Sequence, residues 1–518
     1  MQSRGNRTEG AISPQIRTMM ADPYRGDVDA TRERALRRGF SRLWFFSSYS
    51  LESPSQLRSK VLFAFILFLL LCLYSFYFRT FQVTEHFHLL GDQVRDWDWA
   101  LKPFGELPRV GTPTSQGGYC LGPIFYWTLW FIRITIGRFY ENLPHAGGIG
   151  LAAIHSIADG ILLLAILKRG IPIVASVAIM LLLVSSPFET SLSGTIWNPG
   201  LSVSFVELAT AFFLMIPNSH WVFKTLVTST TAWLAVQSHT QAIFFALSLL
   251  VYLIVEPWIF AGWRPALQRL LIIIAVIVVL QIPYFTEINK HRDTHQEQFG
   301  IVATSFGSLV TKPSSVHPYA SFTALGDALA ELFGPHLSRT VVIVLILVTG
   351  GALLFGYRKH HEVLAVALLP MFLTWLGYTF LSVGTLYTYW YMNLMPAFVL
   401  LILFGFTKSP FPILDKVYPL LGLFVLLLAF VSQPSRLATR AQSTSYPYYA
   451  SLVRGAKEIV RNGAPVRSVV PPSFPNKVEP SYLVRWLGGR VEESADLIAI
   501  IGEDGSVTYQ PAADEQHK

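Results

Sequence analysis

The residues best suited to chemistry lie in one short acidic segment, Gly91-Asp92-Gln93-Val94-Arg95-Asp96-Trp97-Asp98. A carboxylate can take a proton from a hydroxyl group as a general base, and a guanidinium can hold an anionic group through paired hydrogen bonds. The segment follows an apolar stretch, Val61 to Phe78, that is long enough to predict a transmembrane helix. The charged cluster is therefore expected just outside the membrane, where it is a candidate active site.

The acidic segment also has a purely structural interpretation. Asp92 to Asp98 could be a solvated loop or the first turn of a capped helix, because acidic residues are favoured at helix N-termini. Within the segment, Asp96 and Asp98 are expected to be helix-turn groups or arginine partners rather than catalysts.

The composition identifies the chain as an integral membrane protein. Of its 518 residues, 52% are hydrophobic and 14% are charged, and the mean hydropathy is +0.44. So few charges cannot cover the surface of a soluble domain of this length. No apolar stretch occurs near Met1, so no cleavable signal peptide is expected. With only Cys72 and Cys120 present, a disulfide framework is excluded.

The net charge of +8 is unevenly distributed. Residues 1–60 contain eleven Lys or Arg against six Asp or Glu. Short basic segments mark the cytoplasmic side of a membrane, so this segment is expected inside the cell. The stretch from Arg32 to Trp44 mixes basic and apolar residues, which fits either an interfacial helix on anionic lipid or a disordered basic tail.

About eleven apolar stretches predict membrane spans, each of which needs roughly 20 apolar residues. They are residues 61–78, 147–167, 171–186, 200–217, 222–237, 240–260, 266–283, 339–356, 362–382, 388–406 and 411–431. Leu121 to Ile136 is also apolar, but it contains Arg133 and ends at Gly137-Arg138. It therefore fits either a twelfth span or a helix that lies at the interface.

The basic loops decide between these two topologies. If Leu121 to Ile136 is interfacial, five basic loops share the side of the basic N-terminus: Lys168-Arg169, Lys224, Arg264 with Arg269, Arg358-Lys359, and Lys408 with Lys416. If it spans, most of those loops are inverted. The preference for basic loops inside therefore predicts that residues 79–146, residues 284–338 and the chain after Ser432 lie outside.

The chain after Ser432 changes character. Tyr448 to Arg461 has helical spacing, Val466 to Val470 and Leu497 to Ile501 are typical of short strands, and Gly502 to Gly505 is typical of a turn. The predicted organisation is a basic cytoplasmic segment (1–60), a transmembrane domain (61–432) and a small external α/β domain (433–518). The predicted fold class is an α-helical integral membrane protein with about eleven transmembrane helices and with interfacial helices in its first external loop.

Four local motifs give the sequence a resemblance to a known superfamily. Asp92-Gln93-Val94-Arg95 is similar to a D-E-x-R segment that opens the first external loop, and Gly117 to Trp127 is similar to a G-P-x-Y-Y stretch beneath the site. Ile196-Trp197-Asn198-Pro199 resembles a W-N-P motif, and Leu234 to Thr240 resembles an L-Q-x-H-Y-T turn. In this order the motifs resemble those of the GT-C superfamily of polyprenyl-phosphate-dependent glycosyltransferases, in particular bacterial aminoarabinose and mannosyl transferases.

The resemblance implies transfer of a sugar from a polyprenyl phosphate to a hydroxyl group, with Asp92 as general base and Arg95 as the donor-phosphate contact. Two departures matter, because Gln93 stands where many members carry an acid and no acid lies beside Asn198. One acid is sufficient for this chemistry, since a phosphate diester leaves without the protonation that a glycosidic oxygen needs. The reaction requires a base for the acceptor hydroxyl and a cation for the departing phosphate.

Six further residues are candidates for substrate contacts: Asp96, Gln116, Tyr119, Asn198, His239 and Tyr389. Asn198 equally fits a helix cap before Pro199, and Tyr389 fits an aromatic belt at the interface. His239, at a junction between two apolar stretches, could contact donor phosphate, bind a metal or be an ordinary loop residue.

The sequence has no G-x-x-x-x-G-K motif, so a nucleotide is not expected, while a divalent metal remains open without an assigned site. The expected partners are a polyprenyl-phosphate-linked sugar, a glycan, lipid or protein acceptor, and membrane lipids, with no nucleic acid.

The sequence predicts an inverting glycosyltransferase that acts at the external face of a bacterial plasma membrane. An O-antigen ligase or polymerase is an alternative, in which the working residues would be those of the late loop: His291, Arg292, His317, His336 and Arg339. A lipid-linked-sugar flippase or transporter is another, and it would need polar residues along a path at mid-membrane. Such residues are few: His155, Asp159, Glu207 and Gln281. Of these, His155 and Asp159 share one face of a predicted span and are expected to be structural.

Overall fold

The structure is a computed structural model that describes ten stretches of the chain. These are residues 54–87, 89–113, 119–186, 194–289, 317–331, 338–355, 357–381, 388–407, 449–471 and 480–512. Several predicted features lie outside the described residues: the basic segment up to residue 53, Gln116, the late-loop residues His291, Arg292 and His336, and the predicted span 411–431.

The described chain is mainly helical. Its helices are α1 (Pro54–Thr80), α2 (Gly91–Leu101), α3 (Ile124–Thr135), α4 (His145–Lys168), α5 (Ile173–Val184), α6 (Asn198–Met215), α7 (Trp221–Ser238), α8 (Ile243–Ala261), α9 (Trp263–Ile288), α10 (Pro318–Ala330), α11 (Arg339–Phe355), α12 (Tyr357–Val366), α13 (Leu368–Leu381), α14 (Met395–Thr407), α15 (Tyr449–Asn462) and α16 (Ser481–Trp486). A 3-10 helix, Thr388–Leu394, precedes α14. Three strands follow α15: β1 (Ser468–Val470), β2 (Leu497–Ile501) and β3 (Val507–Pro511).

Six helices of the described chain are long and apolar enough to cross a membrane. They are Arg58–Thr80, His145–Lys168, Asn198–Met215, Thr240–Ala261, Trp263–Ile288 and His361–Phe380. Three shorter apolar helices also coincide with predicted spans: Ile173–Val184, Arg339–Gly351 and Tyr389–Gly405. The prediction of a multi-pass helical membrane protein is therefore confirmed, while the number of eleven spans stays a prediction.

Helix α7 belongs to neither group, because serine and threonine residues lower its hydropathy. It packs against α6, α8 and α9. Several of its hydroxyl groups donate to the helix backbone: Ser229 donates a hydrogen bond to the carbonyl of Thr225 at 2.7 Å, and Thr231 donates to the carbonyl of Val227 at 2.8 Å. The hydroxyl groups of Thr225 and Thr228 are buried without a hydrogen-bond partner among the described residues. A helix packed against other helices can carry such residues, since the polar groups on its packed face are kept away from lipid.

Helix α3 covers most of the stretch from Leu121 to Ile136. It has 12 residues, and a rise of about 1.5 Å per residue gives it a length of about 18 Å. The hydrocarbon core of a bilayer is about 30 Å thick. A helix of this length fits the interfacial position, which stays a prediction, because α5 also has 12 residues and coincides with a predicted span.

Three of the five predicted basic loops meet at one end of the helix bundle, namely Lys168-Arg169, Lys224 and Arg264 with Arg269, while Lys408 and Lys416 lie outside the described residues. Glu362 joins two of them, because its carboxylate lies 2.5 Å from Arg169 at the end of α4 and 3.3 Å from Lys224 at the start of α7. Glu256 pairs with Arg269 of α9 at 2.8 Å. The opposite ends of these same helices, where α4 and α6 begin and α7 ends, lie beside α2. The predicted site and the basic loops are thus at opposite ends of the bundle.

The strands after α15 form one small sheet in the order β1-β2-β3. Strands β1 and β2 are parallel, and β2 and β3 form an antiparallel pair. The turn between β2 and β3 contains Gly505 at φ +83°, a conformation that glycine adopts without strain. The strands and the turn occur at or near the sequence positions that were predicted for them.

The C-terminal elements share a core with the region around α2. Tyr449 of α15 packs against Phe87 with tilted rings whose centroids are 5.3 Å apart, and its hydroxyl lies 2.8 Å from Nδ1 of His145 at the start of α4. Apolar residues of α15, such as Leu452, pack in the same cluster as Trp97 of α2. The C-terminal elements therefore support α2 directly, although at least 348 positions separate them in the sequence.

Candidate active site

The helix that carries the acidic segment, α2, is capped by Gln93. Its side-chain Oε1 accepts a hydrogen bond from the backbone N–H of Leu90 at 3.1 Å, and the side chain is buried. A Glu or Gln at the third helical position commonly satisfies a free backbone N–H in this way. Gln93 therefore caps the N-terminus of α2, a structural role that does not need the negative charge of a glutamate.

Arg95 is held between two carboxylates. Its Nη1 lies 2.8 Å from Oδ1 of Asp92, and its Nε and Nη2 each lie 2.8 Å from Oδ1 of Asp96. A guanidinium has five N–H donors, and three of them face these carboxylates, which leaves two on adjacent nitrogens for a ligand. The side chain is 32% exposed, so a phosphate can reach this planar pair of donors from outside.

Asp96 is the buried member of the cluster. Its side chain is 1% exposed and also accepts a hydrogen bond from the Tyr126 hydroxyl at 3.1 Å. Burial raises the pKa of Asp96 to about 7, although the charge of Arg95 and the two hydrogen bonds oppose the shift. Because Asp96 is closed to solvent, it is suited to orient Arg95 rather than to touch a substrate.

Asp92 is the accessible acid of the cluster. It lies in the first turn of α2 with its side chain 63% exposed. The positive end of the helix dipole favours a carboxylate at this place. Among the three acids of α2, Asp92 is the one that a substrate hydroxyl can approach freely, since Asp96 is buried and Asp98 accepts a hydrogen bond from Trp486 at 3.3 Å.

The W-N-P and L-Q-x-H motifs meet beside this cluster. Asn198 donates a hydrogen bond from Nδ2 to the carbonyl of Ser238 at 2.8 Å, and the same nitrogen lies 3.7 Å from Sγ of Cys120. Burial raises the pKa of the Cys120 thiol, and Asp96 and Arg95 are near enough to act on that pKa electrostatically. The two motifs and Cys120 therefore lie next to the charged cluster of α2, although they are far apart in the sequence.

His239 lies in an aromatic group with Tyr389 and Trp197. The ring centroids of His239 and Tyr389 are 6.4 Å apart, and those of Trp197 and Tyr389 are 5.3 Å apart. Burial lowers the pKa of His239 to about 3, so the imidazole is neutral at neutral pH. Its Nδ1 is buried and has no hydrogen-bond partner among the described residues.

Two other predicted residues lie away from this cluster. Tyr119 forms an isolated antiparallel bridge with Pro113, next to the backbone hydrogen bond from the N–H of Gly111 to the carbonyl of Cys120. Of the late-loop residues, Arg339 forms an ion pair with Asp327 at 3.1 Å, with both side chains substantially exposed.

The second and fourth motifs pack together at Gly122. A Cβ atom on Gly122 would lie less than 3.0 Å from three side-chain atoms of Gln237. Gln237 cannot easily move away, because its Nε2 donates to the carbonyl of Leu280 at 2.6 Å and to Oε1 of Gln281 at 3.0 Å. The missing side chain at Gly122 lets the start of α3 approach α7 and α9.

The Gly122→Ala variant is expected to be destabilised by about 1–3 kcal/mol, the usual cost of overpacking a well-packed site. Thermal unfolding of the purified protein measures the loss. Gly105→Ala is the matched control, since a Cβ there meets nothing within 4 Å. Equal unfolding midpoints for the two variants would show that α3 and α7 are not in close contact.

One group of side chains in the described chain could hold a metal ion. The ligand atoms of His155, Asp159 and Glu207 all lie within 4.8 Å of one another, inside the bundle on α4 and α6. Arg79, which the sequence did not single out, lies 2.8 Å from Asp159, and both side chains are fully buried. Ser75 also donates to Asp159 at 2.6 Å. Arg79 already neutralises this acid, so the group has a structural explanation as a brace between α1 and α4.

Two crystal structures of ArnT from Cupriavidus metallidurans are similar to this chain. The structure bound to undecaprenyl phosphate has 13% sequence identity and a TM-score of 0.45, and the match covers 81% of this chain and 84% of that chain. The apo state has 12% identity and a TM-score of 0.44, with 82% and 84% covered. ArnT is a GT-C glycosyltransferase, the superfamily that the sequence motifs resemble. No family model and no curated protein matches the chain.

Proposed function

We propose that the chain is an inverting glycosyltransferase that moves a sugar from a polyprenyl-phosphate donor to a hydroxyl group of an acceptor. One observation carries the proposal: the exposed carboxylate of Asp92 lies 2.8 Å from a guanidinium, Arg95, that keeps two N–H donors for a ligand. A base and an anion-binding group are thereby adjacent at the N-terminus of one helix, as the reaction requires.

Each of the two groups has one task in the reaction. The acceptor hydroxyl gives its proton to Asp92 while its oxygen attacks the anomeric carbon on the face opposite to the phosphate. The bond from that carbon to the phosphate oxygen breaks, and its electron pair stays on the phosphate. The free N–H groups of Arg95 stabilise the charge that grows there in the transition state.

The surroundings of Asp92 support inversion. A retaining enzyme needs a carboxylate that can attack the sugar as a nucleophile. In α2, Asp96 is buried under Arg95 and Tyr126, and Asp98 is engaged by Trp486. With Asp92, the most exposed of the three carboxylates, acting as base, direct displacement by the acceptor is the simplest reaction.

His239 and Tyr389 complete the proposed donor side of the site. Nδ1 of the neutral His239 ring, which has no partner among the described residues, can hydrogen-bond a phosphate or sugar oxygen that reaches it. Tyr389 offers an aromatic face beside it. Asn198 is assigned a positioning role, because it ties the start of α6 to the end of α7.

The direct test uses the purified chain in nanodiscs with sugars linked to undecaprenyl phosphate. Release of undecaprenyl phosphate that depends on the chain, with an inverted anomeric configuration in the glycoside product by NMR, supports the proposal. Product with retained configuration contradicts inversion, and no release from any donor contradicts the donor class.

We propose that this site faces the outside of the cell, because the basic loops lie at the other end of the bundle. In a Cys72→Ser, Cys120→Ser background, single cysteines at Glu106 and Arg490 are expected to react with an impermeant thiol reagent on intact cells. A cysteine at Arg264 is expected to react only after permeabilisation. All three positions are exposed. The reverse pattern of labelling would put the site inside.

A further inference from the structure

A cleft of about 300 Å³ follows the outer face of α2. Its walls include Gly91, Arg95, Asp98 and Trp99 from α2, Lys102 directly after α2, and Tyr482 from α16. The α2 residues are three or four positions apart, which puts them along one side of the helix. One wall of the cleft therefore comes from the helix of the candidate active site and the other from the C-terminal part of the chain.

We propose that this cleft binds a saccharide, namely the acceptor glycan of the transfer reaction proposed above, on which this inference rests. The C-terminal helix α16 would then contribute directly to acceptor recognition. The cleft volume is at the lower end of the range of roughly 300–1,000 Å³ that is usual for small-molecule sites, so it has room for a short saccharide.

The lining of the cleft matches the chemistry of a sugar. A sugar ring presents apolar C–H groups on its faces and hydroxyl groups around its edge. Trp99 and Tyr482 offer half-buried aromatic surfaces, while Asp98 can accept hydrogen bonds and Lys102 can donate them.

Contacts within the cleft hold these side chains in position before a ligand arrives. Lys102 Nζ lies 3.8 Å from the centroid of a Trp99 ring, and Arg485 lies 5.3 Å from the ring centroid of Tyr482. Trp486 fixes Asp98 by its hydrogen bond. Side chains that are already ordered lose less conformational entropy on binding.

The direction of the cleft brings its ligand to the proposed base. Arg95 lines the cleft and also contacts Asp92. Lys102 is seven residues further along α2, which corresponds to about 10 Å. A saccharide that extends from Lys102 toward Arg95 would present its terminal hydroxyl group beside Asp92.

Saturation-transfer NMR on the full chain in nanodiscs tests the inference with the methyl glycosides of glucose, galactose, mannose and N-acetylglucosamine. At least one glycoside is expected to receive saturation at its ring C–H protons. Tyr482→Ala and Lys102→Ala should each weaken its binding about tenfold, the usual scale for a central contact. If no glycoside receives saturation, or if both variants bind as wild type does, the inference is wrong.

A pair of glycine variants provides a test that does not remove any contact. A Cβ on Gly91 or on Gly105 meets nothing within 4 Å, so both positions tolerate a larger side chain. Gly91→Phe fills the cleft and is expected to abolish glycoside binding, whereas Gly105→Phe lies outside the cleft and should leave it unchanged. Equal binding by the two variants would overturn the inference.

Binding of undecaprenyl phosphate distinguishes this inference from the proposed function. Tyr482→Ala and Lys102→Ala should bind this lipid within about twofold of wild type, because neither variant removes a group assigned to the phosphate. Glycoside binding that is absent while the lipid still binds through Arg95 would reject the acceptor cleft alone. Loss of lipid binding in Arg95→Ala would support the donor site. It would not bear on the cleft, which the glycoside measurements decide.

Discussion

The Asp92→Asn variant is expected to lose sugar transfer by about 10² to 10⁴ relative to wild type, the range that is typical for loss of a general base. The amide has nearly the same shape as the carboxylate but cannot take the proton of the acceptor hydroxyl. Release of undecaprenyl phosphate from the sugar-linked lipid, measured with the purified variant in nanodiscs, gives the rate.

Two features of the structure keep this test specific. Arg95 retains both contacts to Asp96 when Asp92 changes, so the phosphate-binding group should stay in place. The lost helix-dipole interaction is worth only about 0.3–1 kcal/mol, so the fold should persist. Glu106→Gln, an equivalent change at an exposed position, is the control. A rate for Asp92→Asn within about threefold of the control, far short of the range for a general base, would remove Asp92 from the mechanism.

Substitution of Arg95 is expected to impair use of the donor, and Arg95→Ala more than Arg95→Lys. A hydrogen bond to a charged group contributes about 1.5–3 kcal/mol, so the alanine variant should raise the KM for the donor by roughly 10- to 150-fold, at about 1.4 kcal/mol per tenfold change. Lysine keeps the charge but loses the planar pair of donors, so its KM should be intermediate.

The alanine variant has a second consequence that must be measured separately. In Arg95→Ala, the buried carboxyl group of Asp96 keeps its hydrogen bond from the Tyr126 hydroxyl but loses the positive charge beside it. A buried charge without a compensating partner is costly. Because burial already raises the pKa of Asp96 to about 7, the group can take up a proton instead. Thermal unfolding of both variants shows whether the fold is kept. Donor KM values equal to wild type in two folded variants would exclude the phosphate role of Arg95.

The sequence by itself determined the features that depend on neighbouring residues. Apolar stretches such as Val61 to Phe78 predicted the spans because a bilayer selects for length and hydropathy alone. The distribution of basic loops predicted that the helix containing Arg133 is interfacial, a position that its length of 12 residues fits. The acidic segment could be identified for the same reason, since Asp92, Arg95 and Asp96 lie within two turns of one helix and must be close.

Only the tertiary structure decided what these residues contact. The sequence favoured Asp92 over Asp96 as the base, but only the structure gives their difference in exposure: Asp92 is 63% exposed, whereas Asp96 is 1% exposed and accepts a hydrogen bond from Tyr126 of α3. The pairing of Asp98 with Trp486 joins residues that are 388 positions apart. Such contacts depend on how whole helices pack, because side chains that are distant in the sequence meet only when backbone elements are fixed relative to one another. The exposure of each acid of α2, and the cleft beside them, were therefore decided by packing.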